Sequence, residues 1–276
     1  MSKGKILYVS QEMAPFLELS SISKVARTLP QKMQESGYEI RALMPRFGCI
    51  NERRNRLHEV IRLSGMNIVV NDTDNPLIIK VASIPSARMQ VYFLDNEDYF
   101  HRKTVFEDKK GKFHADNDER SMFFCIGVLE TVKKLGWSPD IIHCQGWMTA
   151  FVPMLLKTVY KDEPIFKTSK MVYSVYDNGF EGAINPEFNN RLLTEGISET
   201  DMKPYGGGSC EEIHKGAIHY ADAIIKGIDS ISDDINAAIK SEGKPTLEFK
   251  SADEYIEAYG EFYSEIAVNN DELETV

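Results

Sequence analysis

Cysteine is scarce in this sequence, and long apolar runs are absent. The 276 residues contain four cysteines, none of them in a Cys-x-x-Cys pair, which excludes a zinc ribbon and gives no basis for predicting disulfides. The best apolar run, residues 122–129, is too short to span a membrane. The run near the start, residues 6–9, is too short for a signal peptide. We therefore expect a reduced cytoplasmic protein.

Basic residues are outnumbered by acidic ones, with 32 Lys and Arg against 42 Asp and Glu, for a net charge of −10. A negatively charged surface is repelled by phosphate backbones and by anionic lipids, so the sequence predicts neither nucleic acid nor membrane as a partner. Hydrophobic residues at 42% and charged residues at 27% are typical of a soluble globular chain. The length suits one large domain or two small ones.

Short β-rich runs alternate with helical periodicity from residue 5 onward. Residues 5–9 form the first β-rich run, and apolar residues then recur at helical spacing over 22–33, with Gly37 as a helix stop. The alternation predicts further strands at 40–44, 90–94, 140–143, 171–176 and 223–225, and further helices at 120–135, 147–160 and 232–240. Strands separated by helices pair in parallel. We therefore predict an α/β fold, a single Rossmann-like domain with a doubly wound parallel sheet.

A β-rich stretch between residues 58 and 94 interrupts this alternation and predicts a hairpin insertion. The polar residues 71–76 are predicted to be the turn between two of its strands. Residues 101–119, rich in Lys and Asp, are predicted to be a polar loop. Pro30 should kink the first helix or lie near its edge. The triple glycine 206–208 is followed by no Gly-Lys-Ser/Thr, so it predicts a flexible loop rather than a phosphate site.

The order of these motifs resembles the N-terminal domain of bacterial glycogen synthases and plant starch synthases, which are retaining glycosyltransferases of the GT-B architecture. The resemblance covers about residues 4–240 and implies the N-terminal half of a GT-B fold that acts on α-glucan without a metal or another cofactor. His214 and His219 are five residues apart, which also argues against a metal site. The motifs that carry the resemblance are Lys5-Ile6-Leu7-Tyr8-Val9-Ser10-Gln11-Glu12-Met13-Ala14-Pro15-Phe16, Leu43-Met44-Pro45-Arg46-Phe47-Gly48, Tyr99-Phe100-His101-Arg102, Asp116-Asn117-Asp118-Glu119-Arg120 and Lys215-Gly216-Ala217-Ile218.

The resemblance also implies candidate residues for binding the glucan acceptor, namely Glu12, Tyr99, Arg102, Trp147 and Asp177. The first four of these have a structural alternative. Glu12 could be a structural carboxylate at the end of a strand, and Trp147 could be a core residue under a helix start. Tyr99 and Arg102 could anchor a packed loop instead of stacking on a sugar or bonding to it.

The loop after the first strand departs from the family pattern. The family reads Lys-Thr-Gly-Gly-Leu there, and its lysine and glycines hold the diphosphate of the donor. Here the stretch is Glu18-Leu19-Ser20-Ser21-Ile22, so Glu18 replaces a cation by an anion, while Ser20 and Ser21 replace the glycines. The resemblance therefore implies a degenerate donor loop.

Two further loops differ. The family continues Ala-His-Asp-Trp after the strand at 140–143, whereas this chain reads Cys144-Gln145-Gly146-Trp147. After the strand at 171–176 the family reads Thr-x-His-Asn, and Tyr176 stands at the histidine position, with Asp177 after it. A phenol can bond a sugar hydroxyl, but its pKa near 10 makes it a different group from imidazole. No residue is assigned a catalytic role with this pattern.

From Asp229 onward 48 residues remain in the sequence, too few for a second Rossmann-like domain. Residues 253–262 have the pattern of an amphipathic helix, which we expect to fold back on the N-terminal domain as GT-B chains commonly do. The predicted organisation is a synthase-like domain over 1–245, a returning C-terminal helix within 246–268, and a frayed acidic tail over 269–276.

Three functional hypotheses follow. The chain could be a catalytically impaired, single-domain member of the family that binds α-glucan or a partner. It could be an active glycosyltransferase that recruits a separate GT-B chain for the donor half or uses a different donor. It could also be a non-enzymatic interaction scaffold. The altered motifs at Glu18 and Tyr176 favour the first hypothesis.

Overall fold

The structure is a computed structural model that describes residues 3–176 and 179–268. Its strands are β1 (Lys5–Ser10), β2 (Glu39–Pro45), β3 (His58–Glu59), β4 (Met66–Val70), β5 (Thr73–Ile84), β6 (Met89–Asp95), β7 (Ile141–Gln145), β8 (Lys170–Val175), β9 (Ala223–Lys226) and β10 (Thr246–Leu247). Its helices are α1 (Ile22–Glu35), α2 (Glu52–Asn55), α3 (Glu97–Phe100), α4 (Asn117–Leu135), α5 (Val152–Lys157), α6 (Phe188–Arg191), α7 (Glu199–Met202), α8 (Cys210–Tyr220), α9 (Asp233–Glu242) and α10 (Tyr255–Val268).

The strands form one sheet in the order β10-β9-β8-β7-β1-β2-β6-β5-β3, with β4 paired to β5. From β10 to β6 every neighbouring pair is parallel, whereas β3, β4 and β6 each pair with β5 in the antiparallel sense. The chain leaves β1 toward β2 and β6 on one side and continues from β7 on the other. The switch point of the sheet therefore lies between β1 and β7. The predicted α/β fold with a doubly wound sheet is confirmed.

Both faces of the central strands are buried, and different helices cover them. Tyr8 is in register with His143, which is in register with Val172, so these three side chains share one face of the sheet. That face lies under α10, because the Tyr263 hydroxyl is 2.7 Å from His143 Nδ1. The opposite face lies under α8, where the hydroxyl of Tyr173 is 2.9 Å from Nδ1 of His214.

The hairpin insertion has a shorter turn than the sequence predicts. Val70 pairs directly with Thr73, so only Asn71 and Asp72 form the turn, and both have positive φ (50° and 56°). Asn and Asp tolerate this left-handed conformation, which suits a two-residue hairpin. The predicted turn over 71–76 is wrong because the polar residues from Thr73 onward continue as strand β5.

Two helices also differ from their predicted form. The helix predicted over 147–160 is a short 3-10 turn at Trp147–Thr149 followed by α5 over Val152–Lys157. Pro153 stands in the first turn of α5, the part of a helix that tolerates proline. Pro30 lies inside α1, which continues to Glu35, so of the two predicted positions the one near an edge of the helix does not apply.

The C-terminal helix, α10, extends beyond the predicted 253–262. Its side chains at Tyr259, Phe262, Tyr263 and Ile266 are buried, and Gly260 lies against Met33 of α1. Residues 269–276, predicted to be an acidic tail, lie outside the described residues. Across the described part of the chain, no helix is long and apolar enough to cross a membrane.

Candidate functional site

The carboxyl ends of β1, β7 and β8 meet at the switch point of the sheet. Gln11 and Glu12 follow β1, Gly146 and Trp147 follow β7, and Tyr176 follows β8. Open α/β sheets bind ligands in this position because the connections on the two sides diverge and leave a crevice. Three residues predicted from the sequence, Glu12, Trp147 and Tyr176, therefore lie at one edge of the sheet.

Glu12 is fully buried, and its carboxylate is engaged within the protein. It accepts hydrogen bonds from the Leu19 N–H at 2.6 Å, the Ser20 N–H at 2.9 Å and the Ser20 hydroxyl at 2.6 Å. The Ser20 hydroxyl oxygen also accepts from the Ile22 N–H at 3.2 Å. The loop amides of Leu19 and Ser20 and the first amide of α1, that of Ile22, are thus bonded to side chains of the same region.

Glu18 and Ser21, the other altered residues of this loop, have exposed side chains, and Ser20 is half-buried. Ser21 is the residue before α1, and its side chain makes no capping bond to the helix. The backbone amides before and at the start of α1 therefore depend on the side chains of Glu12 and Ser20 for their hydrogen bonds.

Replacing Glu12 with alanine is expected to lower the free energy of unfolding by about 2–3 kcal/mol, because several donors lose a charged acceptor. Glu12→Gln is the matched control. It keeps a carbonyl oxygen for the amides of Leu19 and Ser20, so we expect less than half of that loss. Urea unfolding at neutral pH measures both variants. An alanine variant as stable as the parent protein would contradict the structural role of this carboxylate.

Gly146 replaces the aspartate that the resemblance places in this loop, and the local geometry requires a glycine. Its φ is +92°, and a Cβ at this position would overlap the side chain of Gln11. Gln11 is itself buried, and its Oε1 accepts from the Met148 N–H at 3.3 Å. The space of the missing carboxylate is therefore filled by Gln11.

Tyr176, at the family histidine position, is also fully buried. Its ring covers Gly227, where an added Cβ would lie 2.5 Å from ring carbons. Burial raises the pKa of the Tyr176 phenol well above its ordinary value, and nearby phenols such as that of Tyr259 add to this effect. The phenol is therefore neutral at physiological pH. Asp177, the next predicted residue, lies outside the described residues.

Trp147 is 1% exposed and lies beneath other aromatic rings. Phe106, Phe113 and Phe180 have ring centroids 4.9, 5.9 and 5.0 Å from it. Phe113 and Phe180 stack on each other at 4.7 Å with an interplanar angle of 25°. Phe106, Phe113 and Phe180 are each only partly buried, and the fully packed Trp147 supports them; of the three, Phe113 and Phe180 form the stacked pair.

These two phenylalanines line a cleft of about 560 Å³ beside the N-terminus of α8. The cleft also contains the carboxylates of Glu107, Glu181 and Glu211. The motifs in the sequence do not indicate this set, because its members come from two loops and a helix start. The available signal was weak: Phe113 and Phe180 are isolated aromatics in otherwise polar loops, where no buried face requires them.

Tyr99 and Arg102 make their contacts with the start of α4. The Tyr99 hydroxyl donates to Glu119 Oε2 at 3.0 Å, and Arg102 forms a two-pronged ion pair with Asp116. Neither residue lines the cleft. These contacts attach the polar loop to the body of the domain, and this loop contains Phe106 and Phe113.

Arg120 is the buried centre of that attachment, and the sequence analysis did not single it out. It is fully buried, and it donates from Nε to the Tyr99 carbonyl at 2.8 Å and from Nη1 to the Val105 carbonyl at 2.7 Å. Burial lowers the pKa of Arg120 to about 10, so the guanidinium stays charged at neutral pH. Arg120 is therefore a positioning residue for the loop on one side of the cleft.

His143 lies at the carboxyl half of β7 but under α10, away from the cleft. Its Nε2 is 2.6 Å from Ser174 Oγ and its Nδ1 is 2.7 Å from the Tyr263 hydroxyl. Burial lowers the pKa of His143 to about 3. The His143 imidazole is therefore a neutral part of the core. In residues 3–176 and 179–268, no group of three or more side chains is arranged to hold a metal ion.

A profile of the starch synthase catalytic domain family matches residues 5–242 of this chain. Among curated proteins, the glycogen synthase of Chlorobium luteolum is 42% identical over 195 residues, which are 70% of this chain and 40% of that protein. The glycogen synthase of Chlorobaculum tepidum is 42% identical over 222 residues, which are 80% of this chain and 45% of that protein. The chain thus spans less than half the length of these relatives.

Among solved structures, the catalytic domain of starch synthase IV from Arabidopsis thaliana, bound to ADP and acarbose, has the same fold. The match has a TM-score of 0.72 at 17% sequence identity and covers 90% of this chain and 51% of that one.

Proposed function

Because the chain belongs to the starch synthase catalytic domain family, we propose that it binds an α-glucan chain in the aromatic cleft and does not by itself transfer glucose. The observation that carries the proposal is the stacked pair of Phe113 and Phe180, which packs on Trp147 just after β7 and lines the cleft. The curated relatives are glycogen synthases, and the related starch synthase was solved with acarbose as well as ADP.

The chemistry of the cleft suits a neutral sugar polymer. Glucose rings have apolar faces that pack on aromatic rings and hydroxyl groups that donate to carboxylates. Phe113 and Phe180 offer the aromatic surface, and Glu107, Glu181 and Glu211 offer acceptors around it. Three carboxylates around the same cleft disfavour an anionic ligand, so a neutral glucan suits it better than a phosphorylated one.

The loop of residues 18–22 is poorly suited to a sugar-nucleotide donor. The Leu19 and Ser20 amides already donate to Glu12, so a diphosphate would have to displace a buried carboxylate. Glu18 adds a second negative charge to this loop. Two like charges about 4 Å apart repel by ~1 kcal/mol in water and by ~4 kcal/mol at an effective dielectric near 20.

Isothermal titration with maltoheptaose tests the glucan part of the proposal. We expect binding by the parent protein and about three- to tenfold weaker binding by Phe180→Ala, since an aromatic stacking contact contributes about 0.5–1.5 kcal/mol. Phe249→Ala is the matched control, because Phe249 is an exposed phenylalanine (40%) between β10 and α10. Equal weakening in both variants, or no binding by the parent protein, would overturn the assignment of the cleft.

Titration of the same protein with ADP-glucose and UDP-glucose tests the donor part. We expect no heat of binding from either compound, even at concentrations that saturate the donor sites of related enzymes. Clear binding would favour an active transferase that uses another loop or another donor. A Glu12→Ala variant that gained affinity for either nucleotide would support the view that Glu12 blocks the loop.

A further inference from the structure

A second cavity lies at the opposite end of the sheet, where β2 and β6 begin. It has a volume of about 670 Å³ and is lined by Tyr38, Arg41, Ser83, Arg88 and Gln90, among others. We propose that this cavity, here called the basal groove, binds a small phosphorylated polyol of the size of a monosaccharide phosphate. The proposal is independent of glucan binding in the aromatic cleft.

The guanidinium of Arg41 is held in a fixed position at this groove. It lies over the Trp137 ring, 5.3 Å from the ring centroid, which is a cation–π arrangement. Its nearest carboxylate, Glu39, is 3.7 Å away and already accepts from the Trp137 indole N–H at 2.6 Å. The Arg41 side chain keeps 30% of its surface exposed, so it has donors to offer a ligand without reorganising.

Two hydrogen-bonding side chains lie next to Arg41 across the sheet. The register pairs Ala42 with Val91, which sets Arg41 beside Gln90 on the same face, and Ser83 is in register with Gln90. Neighbouring strands are about 4.8 Å apart. The residues that carry a guanidinium, a carboxamide and a hydroxyl therefore lie side by side on three neighbouring strands, with about 10 Å between the outer two backbones.

Arg88 adds a second positive charge to the groove. It lies in the connection from β5 to β6 with φ of +50°, and its side chain is exposed. Among residues 3–176 and 179–268 it forms no ion pair. Two arginines against the single carboxylate of Glu39 make the groove locally positive on a chain of net charge −10, and such a site attracts anions. Arg41 and Arg88 would hold the phosphate, while Gln90 and Ser83 would bond to the hydroxyls.

Isothermal titration of the full chain with glucose 1-phosphate, inorganic phosphate and glucose tests the groove. We expect glucose 1-phosphate to bind more tightly than inorganic phosphate and glucose not to bind. Arg88→Gln should weaken the binding of glucose 1-phosphate at least fivefold. Arg53→Gln is the control, because Arg53 is an exposed arginine in α2 outside the groove, and it removes the same charge.

Arg41→Gln should abolish binding. If the Arg41→Gln variant does not fold, Arg88→Gln still tests the groove, because Arg88 is exposed and its substitution should not disturb the fold. Equal weakening by Arg53→Gln, or no binding by the parent protein, would overturn the proposal. Equal affinity for phosphate and glucose 1-phosphate would overturn its polyol part. The Arg88→Gln variant should bind maltoheptaose as the parent protein does, which separates this result from the test of the aromatic cleft.

Discussion

Replacing Tyr263 with alanine is expected to lower the free energy of unfolding by about 3–5 kcal/mol, the range for truncating a large buried aromatic side chain. Tyr263 is fully buried on α10. Its ring contacts His143 and Tyr8 at centroid distances of 5.8 and 6.4 Å. The variant would leave a cavity between α10 and the sheet and would also leave the buried Nδ1 of His143 without its partner.

The effect is large because α10 covers a part of the sheet face that the helices of the neighbouring crossovers leave uncovered. Crossovers on one side of the switch point place their helices on one face, and those on the other side place them on the opposite face. Tyr8 and His143 lie on the face of α1 and α10. Deleting residues 250–276 should therefore destabilise the protein even more than the Tyr263 variant.

Urea unfolding measures these differences, with two controls. Tyr263→Phe removes only the hydroxyl and should cost about 1–3 kcal/mol, the cost of one unpaired buried group. Glu265→Ala changes an exposed residue of the same helix and should have little effect. A truncated protein with the unfolding midpoint of the full chain would contradict the role assigned to α10.

Acidification below pH 6.5 is expected to lower the free energy of unfolding by a net ~1.4 kcal/mol per pH unit, because two buried histidines resist protonation and one buried carboxyl, that of Asp118, offsets half of their effect. Burial lowers the pKa of His143 to about 3 and that of His214 to about 4. Below pH 6.5 the unfolded chain takes up protons that the folded chain excludes. Each histidine therefore removes about 1.4 kcal/mol per unit as the pH falls toward its folded pKa.

Asp118 opposes this trend. It is buried at the start of α4, and burial raises its pKa to about 7, partly offset by Arg191. Between pH 7 and about pH 4 the folded chain holds a proton on Asp118 that the unfolded chain releases, which adds about 1.4 kcal/mol of stability per unit of acidification. Two histidines against one carboxyl leave a net loss of about 1.4 kcal/mol per unit.

Urea unfolding at pH 6.5, 5.75 and 5.0 measures this slope before most carboxylates become protonated. The net loss over that range should be about 2 kcal/mol. Asp118→Asn removes the opposing group, so its loss should be about twice as large. The same slope in both proteins would mean that the folded state does not hold the extra proton on Asp118.

The alternation of strands and helices in the sequence was sufficient to predict the α/β sheet. Residues 5–9 and 140–143 have the apolar character of strands buried on both faces, and residues 120–135 have helical periodicity. These signals are local, because they depend on which side chains must leave water within one element. Predictions failed where a local conformation decided the outcome, as at Asn71 and Asp72, whose left-handed turn shortened the predicted loop.

The candidate site was predicted less well. The motifs singled out Glu12, Trp147 and Tyr176, but neither their meeting at one edge of the sheet nor the burial of their side chains. The structure buries all three side chains. The stacked and partly buried aromatic pair, Phe113 and Phe180, comes from segments more than sixty residues apart, so no local pattern joins them.

The sequence by itself determined the family and the doubly wound parallel sheet, because periodicity and motif order are properties of short segments. Only the tertiary structure decided that Glu12 bonds to its own loop, that Trp147 supports a stacked pair, and that Tyr263 reaches His143 across 120 residues of sequence. These contacts depend on how elements pack, and packing joins side chains whose separation along the chain carries no signal of their proximity.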